Sequence, residues 1–72
     1  MLIPVYALRD DGKSVTCMVK ANDANHARNK MRWWLSEFHK RGRDCDPEHF
    51  VPYVGEENYY AFTAARRARR IT

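Results

Sequence analysis

Apolar residues recur at helical spacing over one long stretch, Asp23 to Arg41 (DANHARNKMRWWLSEFHKR). Advancing about 100° per residue gathers Ala24, Ala27, Met31, Trp34, Leu35 and Phe38 on one side, which predicts an amphipathic helix with that stripe facing a core. Trp33 falls opposite the stripe, near His26, Asn29, Glu37 and Lys40, whereas Arg28, Arg32 and His39 form a flank beside it. Asn22 or Asp23 can cap the start by accepting orphan backbone N–H bonds, and Gly42 can take the left-handed conformation that closes the end.

Before the helix the pattern is that of strands. Residues 2–9 (LIPVYALR) and 13–21 (KSVTCMVKA) are rich in β-branched and aromatic side chains, and Asp10-Asp11-Gly12 between them predicts an antiparallel hairpin. A two-residue turn at Asp11-Gly12 would pair Leu8 with Val15, Tyr6 with Cys17 and Pro4 with Val19, giving one apolar face for the helix. The other face would carry Ile3, Val5, Ala7, Thr16, Met18 and Lys20, apolar enough to need a cover. Pro4 has no N–H to donate, which marks the first strand as an edge.

After the polar turn 42–47, residues 49–55 (HFVPYVG) and 58–65 (NYYAFTAA) predict a second hairpin across Glu56-Glu57, with Pro52 marking an edge or bulge. The last of these runs can instead open a C-terminal helix, because TAARRARR is made of strong helix formers. The assembled expectation is one small α+β domain over residues 1–72, ordered β-β-α-β-β, an antiparallel sheet packed on one helix, with residues 66–72 a basic tail or short helix.

Composition adds a partner class. A chain this short buries only roughly 60% of its unfolded surface on folding, so its stability is marginal. Nine aromatic residues and 44% hydrophobic content still support a globular core. The net charge of +4 favours polyanions, but it is distributed unevenly. Residues 1–43 hold nine of the thirteen cations, Asp44 to Glu57 supplies five acids without a Lys or Arg, and four arginines follow. That order suits a protein partner of mixed charge as well as nucleic acid. Two cysteines, Cys17 and Cys45, are too few for a secreted disulfide scaffold, and no apolar leader or long apolar span is seen; the expected setting is cytoplasmic, with free thiols and no membrane partner.

The candidate chemistry is that of binding. Trp33 on the polar side of a helix is either covered by the loop or tail, or it stacks on a base or plugs a partner's pocket. Arg66, Arg67, Arg69 and Arg70 offer guanidinium forks that match phosphate or carboxylate oxygens, or else form a solvated terminus. With Arg28, Arg32 and Lys40 these residues make the predicted partner- or polyanion-binding set. His39, Cys45 and His49 are zinc-binding residue types, but the H-x5-C-x3-H spacing lacks a second cysteine pair, so no metal is expected. No nucleophile has an adjacent base, and no phosphate loop, nucleophile elbow or H-E-x-x-H occurs; no catalytic residue, cofactor or enzymatic activity is expected. Tyr60 and Phe62 read as core, because the basic-Gly-aromatic run of an RNA-stacking sheet is missing.

At VKANDANHARNKMRWWL, residues 19–35, a strand runs into a capped helix bearing alanines and basic residues, with a short hairpin after it. This layout resembles that of small phage-encoded accessory proteins, among them some anti-CRISPR proteins and host-polymerase inhibitors. The resemblance lies in the layout and carries over no functional residue. It implies an inhibitor that docks on a host protein or ribonucleoprotein complex, such as a CRISPR effector. The basic ends also fit direct DNA or RNA binding, and the apolar Val5–Met18 face fits a homodimeric assembly subunit.

Overall fold

The computed structural model describes the backbone of residues 1–71 and the side chains of residues 1–69. Strands β1 (Leu2–Arg9) and β2 (Ser14–Lys20), helix α1 (Ala24–Lys40), strand β3 (Phe50–Val54) and helix α2 (Tyr59–Ile71) follow one another, with single 3-10 turns before β3 and before α2. The small α+β domain is therefore β-β-α-β-α, with a three-stranded antiparallel sheet in the order β2-β1-β3.

The predicted fourth strand is a helix. From Tyr59 to Ile71 the only β-branched residue before Ile71 is Thr63, and after it alanines and arginines fill residues 64–70. Gly55, at φ 91°, turns the chain out of β3, and Asn58 donates from its side-chain amide to the Val54 carbonyl. Glu56 and Glu57 then precede the helix, where negative charge complements its N-terminus.

The first hairpin also departs from expectation, by one residue. Gly12 N–H donates to the Arg9 carbonyl and Arg9 N–H to that of Lys13, so the loop has three residues, Asp10, Asp11 and Gly12, with Gly12 at φ 94°. Leu8 consequently pairs with Ser14, Tyr6 with Thr16 and Pro4 with Met18. A one-residue slip exchanges the faces of one strand relative to the other. Ile3, Val5 and Ala7 now share a face with Val15, Cys17 and Val19, and α1 covers it with Ala27, Met31 and Leu35. Tyr6 and Leu8 lie on the opposite face, where Phe62 of α2 stacks on Tyr6 with ring centroids 5.1 Å apart. The predicted dimer face thus does not exist as one surface: Val5 is fully buried under α1, and Met18 is half exposed on the other side.

Both strand prolines, Pro4 and Pro52, sit where the ladder does not need them. β1 is the central strand rather than an edge, because the odd-numbered residues of β1 bond to β2 and the backbone of Pro4 faces β3. There β3 ends, and Pro4 supplies only its carbonyl, which accepts from Gly55 N–H at 2.8 Å. Pro52 pairs with Ala7, so its missing N–H points to the outer side of β3, the edge that its presence predicts.

Helix α1 is closed at both ends as expected. Asp23 accepts from His26 N–H at 2.8 Å, and Gly42 at φ 90° donates to the His39 carbonyl while Arg43 donates to that of Phe38, a Schellman motif. Its buried stripe is narrower than predicted. Ala27, Met31 and Leu35 are buried, Trp34 is half-buried, and Ala24 and Phe38 are exposed.

Candidate binding surfaces

The predicted binding residues divide between two helices on opposite faces of the sheet. On the outward side of α1, Trp33 is 60% exposed, with Arg28, Arg32 and Lys40 also exposed on the same helix. Lys40 lies 3.5 Å from Glu37 one turn earlier, whereas Arg28 and Arg32 have no acid within ion-pair distance among the described residues. Trp33 thus lies on the outward side with Lys40, and Arg28 and Arg32 stand on the flank of the same helix, an exposed ring with cations at its margin of the kind found at anchor positions of interfaces.

The arginines of α2 have other occupations. Arg69 reaches across to the end of β1, donating to the Arg9 carbonyl at 2.8 Å and the Leu8 carbonyl at 3.4 Å. Arg66 lies over the Phe62 ring, 5.8 Å from its centroid. Arg67 is exposed, and the Arg70 side chain lies outside the described residues. Among the exposed cations, therefore, α2 contributes Arg67 to a surface remote from Trp33. Tyr60, expected in the core, is 80% exposed, since on a helix it points away from the side that carries Phe62.

The acids gather at the hairpin end. The Arg9 guanidinium lies 2.6 Å from Asp11 and 2.7 Å from Asp44, and it also donates to the Asp44 carbonyl. Hydrogen bonds from Arg9 hold the Asp11 and Asp44 carboxyls below the usual carboxylate range, and these contacts push the Arg9 pKa further up. One arginine thus holds two carboxylates, so the cluster keeps a net negative charge. His39 and His49 each approach Asp46 at 3.9 Å, but Cys45 is buried, its thiol donating to the Leu35 carbonyl. The three zinc-type residues are not brought together, and among the described residues no cluster of three or more His, Cys, Asp or Glu could hold a metal. No helix of the described residues is long and apolar enough to cross a membrane.

A second surface was not foreseen. Between the C-terminal half of α1 and β2 runs a groove of about 390 Å³, its walls formed by Trp34 and Phe38 on one side and Val15 and Cys17 on the other, with Met31 among the core residues at its base. Lys13, Arg43 and Asp44 stand at its rim. The aromatic stripe of α1 read as core throughout, and what it concealed was that the stripe is wider than the sheet face available to it. Neither in sequence nor in fold does the chain match a protein-family model, a curated protein or a solved structure at a significant level.

Proposed function

We propose that this chain is a small non-enzymatic docking protein, an inhibitor of the phage-encoded kind, that seats the outward side of α1 on an anionic surface of a host nucleic-acid-handling complex. One observation carries the reading: Trp33 stands 60% exposed on the same helix as the exposed cations Arg28, Arg32 and Lys40. The exposed part of the Trp33 ring forgoes burial energy at about 25 cal/mol per Å² of apolar surface, a loss that a partner surface recovers. Arg28 and Arg32, on the flank of the same helix, can then pair with phosphate or carboxylate oxygens at the margin of that contact.

The test is a pull-down from host lysate with the wild-type chain and Trp33→Ala, each with and without nuclease. The expected result is a protein partner that survives nuclease, is lost with Trp33→Ala, and is lost without a change in thermal stability. Retention that vanishes with nuclease would replace this reading with direct DNA or RNA binding, whose affinity would fall linearly with salt on logarithmic axes. Equal retention by the variant would overturn the role of Trp33.

A further inference from the structure

We propose that the groove between α1 and β2 receives an extended, acidic segment of a partner protein, which adds to the sheet as a fourth strand along β2. This surface is distinct from the one around Trp33. Its first component is backbone. The odd-numbered residues of β2 spend their N–H and carbonyl groups on β1, so those of Ser14, Thr16 and Met18 point to the free edge. Among the described residues the Met18 carbonyl at that edge meets only the Cys17 thiol, at 3.8 Å, and the Lys20 carbonyl is taken by the Lys30 ammonium. An unpaired strand of this kind is a template for a peptide in extended conformation.

The second component is the groove alongside that edge. Side chains of an added strand alternate, so every second one would enter between Val15 and Cys17 of β2 and Trp34 and Phe38 of α1. Phe38, 45% exposed, and the half-buried Trp34 would be covered by an apolar side chain there. The third component sets the charge. Lys13 and Arg43 stand on the groove side of the edge and Lys20 at its far end on the other face, none with an acid within ion-pair distance among the described residues, while Asp44 at the rim is held by Arg9. An occupant with acids near both ends complements them. A second copy of β2 does not, because Ser14–Lys20 contains no acid and carries Lys20 itself, with Lys13 just before it.

Selection of random displayed peptides of about ten residues on the immobilised full chain tests this, a length that spans the seven residues of β2 with room for flanking acids. The expected outcome is a family of peptides with alternating apolar residues and flanking Asp or Glu. Their binding should slow alkylation of Cys17 by iodoacetamide. Thr16→Pro removes one outward N–H and no ladder bond, so it should leave the fold intact and weaken the selected peptides by at least about tenfold. Should that variant not fold, Lys13→Glu with Lys20→Glu is the replacement, and the same loss is expected from charge alone. The proposal is overturned if no peptides are selected, if those selected lack acids or bind Thr16→Pro and the charge variant as well as wild type, or if light scattering shows a dimer whose edge pairing already protects Cys17.

Discussion

Phe62→Ala tests the largest departure of the fold from its expected order, the packing of a second helix where a strand was read. Phe62 is 2% exposed, stacks on Tyr6 at 5.1 Å, lies 6.0 Å from the Tyr53 ring and sits under Arg66. Burying a phenylalanine contributes about 1.5–3 kcal/mol by area, and aromatic pairing adds about 0.5–1.5 kcal/mol. Truncations of buried phenylalanine measured elsewhere cost about 3–5 kcal/mol once the cavity is included. The lower part of that range, about 3 kcal/mol, applies here. Tyr59 is 46% exposed beside the site, so water and neighbouring rings can fill part of the void. A domain of this size has only about 4–11 kcal/mol to lose at the usual stability per residue. The melting temperature should fall by about 12–24 °C, followed by circular dichroism, and urea unfolding should give the same free-energy change at an unaltered slope. A loss below about 1 kcal/mol would refute the assignment of Phe62 as the contact that holds α2 to the sheet.

Three further perturbations address the caps and the charge cluster. Asp23→Ala should cost about 1 kcal/mol in urea unfolding at neutral pH, because it removes the acceptor for His26 N–H at the start of α1. Gly42→Ala should cost about 1–2 kcal/mol from its positive φ alone, since nothing lies within 4 Å of where the new methyl would stand; an unchanged midpoint would refute the Schellman closure. Asp11 and Asp44 are held below the ordinary range, so their stabilising contribution is complete above the unfolded value of about 3.9 and is lost as pH falls through their lower folded values. Arg9 stays charged across that window and adds no slope, so the melting temperature should be level from neutrality to about pH 5 and drop below about pH 4, with a shallower acid limb in Arg9→Gln. An acid limb as steep in the variant as in wild type would refute the pairing.

Local signals were legible where one residue decided the geometry. Asp23 and Gly42 bound α1 as their chemistry requires, and the exposure of Trp33 follows from its angle on the helix. Pro52 pointed correctly to an edge. Pro4 did not, because a proline in a central strand is tolerated where the neighbouring strand has already ended, and that depends on where β3 stops. The hairpin register turned on whether Asp10 joins the loop, a difference of one residue that Asp-Asp-Gly does not announce. The segment after Gly55 carried two valid patterns at once. Tyr60 and Phe62 alternate as in a strand, Tyr59 and Phe62 align as on a helix, and only the packing of Phe62 against Tyr6 and Tyr53 selects the second. The predicted binding set was divided for the same reason: once residues 59–71 become a helix on the far face of the sheet, Arg66, Arg67 and Arg69 cannot share a surface with Trp33.

The one-residue change in the hairpin also decides which surface is left open. In the expected register Cys17 would face the same side as Tyr6, and the bulky Tyr6 and Leu8 would lie beneath α1. In the observed register Val15 and Cys17 still face α1, but Ala7 replaces the larger Leu8 beside Val15 and Val5 replaces Tyr6 beside Cys17. A helix that presents Trp34 and Phe38 to small residues at an edge strand leaves space beside them, and that space is the groove. The bulky strand residues Tyr6 and Leu8 are displaced to the other face, where they need a cover of their own, and α2 provides it through Phe62. One glycine turn thus accounts both for the second helix having a place to pack and for the first helix having aromatic surface to spare. Lengthening or shortening the Asp10–Gly12 loop would exchange the strand faces again and remove both features together.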